Sequence, residues 1–145
     1  ATILGALDDH DAPVVFPVHP RTREAIDGLD FEPTGALELR SPLGYFEFLD
    51  LLSSARIVVT DSGGIQEEAA VLEVPCLTVR PNTERPETVD AGVNELVEPE
   101  RLSARLRSVY HEEHESMVGA TALYGDGSAG EQIVELLEVT VGTVQ

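Results

Sequence analysis

The chain has 145 residues, enough for one domain with a substantial hydrophobic core. Its 42% apolar content argues against wholesale disorder. Its apolar runs are too short to span a membrane, and its one cysteine, Cys76, excludes a disulfide scaffold or a multi-cysteine zinc site. Nine basic residues, all arginine, against 27 acidic ones leave a net charge of −18, which excludes general binding to nucleic acid or anionic membranes. An acidic, lysine-free surface on an ordinary core points to high-salt (halophilic) adaptation, because salt screens the self-repulsion within about 3 Å at 1 M. No basic n-region precedes Ile3 and Leu4, so no signal peptide is expected, and cysteine usage points to the cytoplasm.

The elements read as alternating strands and helices. Residues 1–9 are the tail of a helix with Ile3, Leu4 and Leu7 on one side. Residues 14–18 form a buried strand bounded by prolines, 21–28 a short helix ending at Gly28, and 36–39 a strand. Tyr45, Phe48, Leu49 and Leu52 at i, i+3, i+4, i+7 predict an amphipathic helix over 44–55. The β-branched run 57–60 is an inner parallel strand, 65–72 a helix and 76–79 another inner strand. Thr83 is positioned to cap a short helix with Pro86 in its first turn, and 95–97 is a last short strand. Only helices follow. One spans 99–118, with Leu102, Leu106, Val109 and Tyr110 on its inner face. After a turn at 124–127, a second spans 128–139, opened by the capping-box spacing of Ser128 and Glu131 and burying Ile133, Val134, Leu136 and Leu137. This order predicts an α/β domain, a Rossmann-like parallel sheet with flanking helices.

Three segments carry chemistry. An apolar strand runs into Asp61-Ser62-Gly63-Gly64 and then a helix. Such a turn lies at the carboxyl edge of a parallel sheet, where ligands bind, and its N–H groups and helix dipole favour an anion such as phosphate. An ordinary turn capped by Ser62 is the alternative. Next, Arg80 and Arg85 follow the adjacent strand, and Arg85 beside a helix start suits a bidentate phosphate contact; pairing with Glu84 or Glu87 is the alternative. Finally, His19 ends a strand at the same edge, as a ligand contact or acid–base group, or as a structural histidine. His111 and His114 lack the H-E-x-x-H spacing, and no metal-ligand cluster is visible.

At these residues the sequence resembles the non-hydrolysing UDP-N-acetylglucosamine 2-epimerases. The matching stretches are Phe16-Pro17-Val18-His19-Pro20, Pro42-Leu43-Gly44-Tyr45-Phe46-Glu47-Phe48-Leu49, Thr60-Asp61-Ser62-Gly63-Gly64-Ile65-Gln66-Glu67-Glu68-Ala69, Arg80-Pro81-Asn82-Thr83-Glu84-Arg85-Pro86-Glu87 and Tyr124-Gly125-Asp126-Gly127. The resemblance implies the C-terminal half of a glycosyltransferase-B-like fold, a single UDP-binding domain over 1–145. On that pattern Ser62, Gly63 and Gly64 hold the diphosphate, with Arg85 adding charge. Glu68 binds the ribose, Leu43 and Phe48 border the uracil, and His19 faces the cleft near the pyrophosphate or a second, regulatory nucleotide sugar. It implies interconversion of UDP-GlcNAc and UDP-ManNAc by elimination and re-addition of UDP, without metal or redox cofactor, in a homodimeric parent serving polysaccharide or glycan synthesis. It also implies that the N-terminal domain with the C2 carboxylates, and the strand that opens this domain, are missing, so that the chain is a fragment whose sheet lacks a central strand. The alternatives are a non-catalytic UDP-sugar-binding or regulatory domain and a glycosyltransferase donor domain; the TERPE run at 83–87 argues against the latter.

Overall fold

The structure, a computed structural model, describes residues 1–111 and 123–142. In chain order it contains α1 (Thr2–Asp8), β1 (Val14–Pro17), α2 (Pro20–Asp27), β2 (Leu37–Arg40), α3 (Tyr45–Ser54), β3 (Val58–Thr60), α4 (Gly63–Val71), β4 (Cys76–Thr78), α5 (Pro86–Asp90) and β5 (Asn94–Leu96). A 3-10 turn (Pro99–Arg101), α6 (Leu102–His111) and α7 (Ala129–Gly142) complete it. The expected elements are present, with ends shifted by one to three residues. The exception is the helix expected at 99–118, which begins as the 3-10 turn; its residues beyond His111 lie outside the described ones.

All strand pairs are parallel. Val14 to Pro17 lie opposite Leu37 to Arg40, and Val58 to Thr60 opposite Cys76 to Thr78, which in turn lie opposite Asn94 to Leu96. Alternate side chains of β4 enter two different cores, as the two-residue period of a strand requires. Leu77 joins Leu4 and Leu7 of α1, Ile26 of α2, and Leu102, Leu106 and Val109 of α6. Cys76 joins Leu52 of α3 and Ala69 of α4 on the opposite face. Burial of the Cys76 thiol pushes its pKa up to about 11, so it sits as a small protonated core side chain.

The five strands form two hydrogen-bonded sets, β1–β2 and β3–β4–β5, rather than one continuous sheet. Both sets border the first core: Val14 and Phe16 of β1, and Val59 of β3, pack against it. The amides of Val14 and Val18 donate to Ala36 and Arg40, so the alternation of a parallel ladder turns Val15 and Pro17 to the other side. Likewise Val58 N–H donates to Pro75 O and Thr60 O accepts from Val79 N–H, so the Val59 peptide faces away from β4. Pro17 is tolerated inside a strand because its missing N–H falls on this unpaired side.

Asp8 latches the end of α1 to the entrance of β2. Its carboxylate accepts N–H bonds from Thr34, Gly35 and Leu37 at 2.9, 3.0 and 3.2 Å. These bonds, with the Thr34 backbone bond foremost, hold its pKa below the usual carboxylate value. Gly35 is required by a close approach: a Cβ there would stand 2.3 Å from the Asp8 carbonyl oxygen.

Several expectations are corrected. Ile133, Val134, Leu136 and Leu137 are 53–68% exposed rather than buried. Both faces of the sheet are already covered by other helices, so α7 has no sheet face left to pack on. Tyr45 is 60% exposed, because burial along α3 increases only toward Leu52; the first turn carries its ring beside Phe46 in an edge-on contact. Ile3 is exposed, and Ala6 joins Leu4 and Leu7 in the core instead. Arg85, not Thr83, is the residue before α5. The Ser128 hydroxyl bonds the side chains of Asp126 and Gln132.

Candidate functional site

Because every strand is parallel, the loops after β1, β2, β3, β4 and β5 all leave from one edge, the edge where open α/β sheets take ligands. The loop after β3 is only Asp61 and Ser62. Thr60 accepts the Ser62 N–H at 3.1 Å, and α4 begins at Gly63, so both glycines occupy the first turn of the helix rather than a loop before it. Ser62 stands at the N-cap position but its side chain caps nothing. The first amide with an intrahelical partner is that of Gln66, bonded to Ser62 O. The amides of Gly63, Gly64 and Ile65 and the Ser62 hydroxyl therefore have no partner among the described residues, and they converge on the positive end of the helix dipole.

Neither glycine is needed for the local backbone. Neither has a positive φ, and a Cβ would make only ordinary contacts, 3.7 Å from Glu84 Oε2 at Gly63 and 3.9 Å from Ser62 Oγ at Gly64. Their bare faces leave the turn open to a group that must approach the backbone closely.

The loop after β4 folds against this turn. Arg80 holds Glu84 in a two-pronged pair at 3.1 Å, which keeps the Glu84 carboxyl below its usual pKa. The Arg85 guanidinium pairs with Glu67 on α4 and donates to the Glu84 carbonyl at 3.0 Å. Its partner is thus neither of the acids next to it in sequence, Glu84 or Glu87, but one eighteen residues away. Glu87 instead accepts from the Tyr124 hydroxyl, whose pKa rises to about 12 through desolvation and then the Glu87 contact. The Glu68 carboxylate, half-buried one position beyond Glu67, has no hydrogen-bond or ion-pair partner among the described residues.

The structure thus brings Ser62, Gly63 and Gly64 to the start of α4, ties Arg85 through Glu67 to the next turn of that helix, and places Glu68 on the same helix. His19 lies at the carboxyl end of β1, where its Nδ1 accepts the Arg21 N–H at 3.3 Å and caps α2. Leu43 is half-buried in the loop before α3, and Phe48 is half-buried against the second core. The sequence reading missed Glu67 as the partner of Arg85, since nothing local links them. It also missed the exposed Phe46 and the buried amides of Gln66 and Asn94. A glutamine embedded among Ile65, Ala69 and Ala70 was the available signal for the first of those amides.

Parallel strands with helices on both faces and a glycine-opened helix at the carboxyl edge define a Rossmann-like domain. The chain belongs to the UDP-N-acetylglucosamine 2-epimerase family, whose description matches residues 1–138. It is 36% identical over 141 residues to the UDP-N-acetylglucosamine 2-epimerase of Methanocaldococcus jannaschii, a match covering 93% of this chain and 37% of that protein. It is also similar to the crystal structure of the Methanocaldococcus jannaschii UDP-GlcNAc 2-epimerase in complex with UDP-GlcNAc and UDP, with a TM-score of 0.75 and 35% identity over 95% of this chain and 39% of that one. A likeness to the glycosyltransferase VinC in complex with dTDP, at 22% identity, TM-score 0.67, and 95% and 36% coverage, shows the shared GT-B-like fold alone. The chain spans little more than a third of the length of the relatives it matches.

Proposed function

We propose that the chain is the nucleotide-binding half of a UDP-GlcNAc 2-epimerase. The observation that carries the reading is the α4 start: three amides and a serine hydroxyl without a partner among the described residues, around two uncrowded glycines. Ser62, Gly63 and Gly64 take the diphosphate, and Arg85 shares its charge between Glu67 and a phosphate oxygen. Glu68 accepts from the ribose hydroxyls, Leu43 and Phe48 border the base, and His19 faces the sugar side of the cleft. In the reaction a base of the second domain takes the C2 proton, the C2–H pair becomes the C1–C2 double bond, and UDP leaves with the C1–O pair. Re-addition of UDP with a proton delivered to the other face of C2 yields UDP-ManNAc. Negative charge grows on the departing diphosphate, where the amides and Arg85 stabilise it.

The second domain and one further strand belong to this reading. Helices α1 and α2 bury residues in the same core, so crossovers of one hand advance in one direction. Since β1–α2–β2 steps from β1 to β2, a strand leading into α1 falls on the opposite side of β1. Helix α4 covers the other face, so β3–α4–β4 advances the opposite way, away from β1. The sheet order is then β2, β1, the added strand, β3, β4, β5. We place the parent in the cytoplasm as a homodimer supplying polysaccharide synthesis, in a cell with high internal salt.

Titration of the chain with UDP tests the site. Ser62→Ala and Arg85→Ala are each expected to weaken binding roughly 10- to 150-fold, the range for a lost bond to a charged group of about 1.5–3 kcal/mol. Unchanged affinity in both variants excludes the phosphate assignment. The high-salt reading predicts that the melting temperature rises from dilute buffer to molar KCl as repulsion among the −18 net charges is screened; a flat or falling curve excludes it.

A further inference from the structure

Gln66 is fully buried on α4, just below the open turn, and its polar head belongs to a closed ring of hydrogen bonds. Its Oε1 accepts from Thr83 Oγ1 at 2.5 Å and from Asn94 Nδ2 at 3.1 Å. Thr83 Oγ1 in turn accepts the backbone N–H of Arg85 at 3.0 Å. On the other branch, Asn94 Nδ2 donates to Thr88 Oγ1 at 3.0 Å, and Thr88 donates to the backbone carbonyl of Arg85 at 2.7 Å. Asn94 is itself anchored to β4 by Thr78, which donates to its Oδ1 at 2.7 Å.

The ring closes around one residue. Both main-chain polar groups of Arg85 are held by hydroxyls, and both hydroxyls are tied to amides buried under the α4 start. Each proton has one direction: Thr88 gives its hydrogen to the Arg85 carbonyl, so it can only accept from Asn94, which fixes the Asn94 amide and leaves Gln66 the acceptor. Arg85 has φ −124° and ψ 57°, outside the regular helix and strand regions, so the local backbone does not determine its position by itself. Four polar side chains at 0–4% exposure, Gln66, Thr78, Thr88 and Asn94, are costly to bury, and this connected network satisfies them with the exception of Gln66 Nε2.

We propose that Gln66, Thr83, Thr88 and Asn94 are positioning residues that hold the Arg85 backbone at a set place beside the Ser62–Gly64 turn, so that its guanidinium meets an anion there without a loop rearrangement. This rests on the reading of that turn as a diphosphate site. The ring acts through Arg85 and touches no ligand.

The test is a double-mutant cycle on the whole chain, with UDP as the calorimetric probe. Thr83→Val keeps the shape and removes the hydroxyl; Thr83→Ser keeps the hydroxyl. Thr83→Val is expected to weaken UDP binding roughly three- to tenfold, the worth of one neutral hydrogen bond, and Thr83→Ser to restore it. In an Arg85→Ala background Thr83→Val is expected to cost nothing further, because the group it positions is gone. Exchange at the Arg85 amide is expected to quicken in Thr83→Val and not in Thr83→Ser. Thr88→Val, on the carbonyl side of the ring, runs the same cycle if Thr83→Val fails to fold. Unchanged affinity in the valine variants, or an equal loss with and without the Arg85 side chain, overturns the positioning role while leaving the diphosphate site intact. No UDP binding by the unaltered chain overturns both.

Discussion

Incubated alone with UDP-GlcNAc in D₂O, the 145 residues are expected to place no deuterium at C2 and to form no UDP-ManNAc. Proton transfer at C2 needs an acid or base within about 2.6–3.2 Å of its partner, or one water away. Of the carboxylates around the α4 start, Glu67 is committed to Arg85, Glu84 to Arg80 and Glu87 to Tyr124, and exposed Asp61 lies in the field of Arg80. Glu68 is proposed as the ribose acceptor. His19 has one ring nitrogen engaged at the α2 cap, and a single imidazole cannot address both faces of C2. The site is also open to water, which weakens the electrostatic help given to departing UDP. A positioned acid or base contributes about 10²–10⁴-fold, so losing the pair takes turnover to background. NMR of the sugar checks this. Deuterium incorporation well above a buffer control, and abolished by Arg85→Ala, would show that the second domain is dispensable.

The other large effect expected is in amide exchange. The Val15 and Val59 amides face the two unpaired strand edges, whereas those of Val14, Val18 and Val58 are bonded to neighbouring strands. In the chain as it stands, Val15 and Val59 should exchange several-thousandfold faster than their bonded neighbours, the span between an open amide and one that needs global unfolding at about 5 kcal/mol. Extending the chain before α1 with a strand of β-branched residues should slow both amides together. Slow exchange of both without that extension would mean that β1 and β3 already share a partner, and the proposed sixth strand would be wrong.

How much of this was legible in the sequence depended on the range of the signal. Strands such as Val58–Thr60 and Cys76–Thr78 announce themselves because β-branched and apolar runs are local patterns, and helices such as α3 because their period is local. The Ser62–Gly64 turn was legible for the same reason. What failed was the step from apolar to buried. Leu136 and Tyr45 have the same local pattern as Leu106 and Leu52, but burial needs a second surface, and that is a property of the assembled molecule. Long-range pairings failed likewise: Glu67 with Arg85, and Gln66 with Thr83 and Asn94, join residues 17–28 positions apart that no spacing rule connects. The family resemblance supplied what periodicity did not, the expectation that the sheet lacks a central strand.

Pro17 gives the unpaired edge of β1 a polarity. Along β1 the unpaired side offers one amide hydrogen, from Val15, and then none at Pro17, while carbonyls remain at both residues. A strand from another molecule that docked against β1 would forfeit a rung of its ladder, so the proline works as a gatekeeper against runaway edge-to-edge polymerisation. A strand arriving between β1 and β3 is penalised less, since Val59 supplies both a donor and an acceptor from the far side. The same residue that blunts association with strangers thus costs least to the strand proposed between β1 and β3, which would be gripped from both sides.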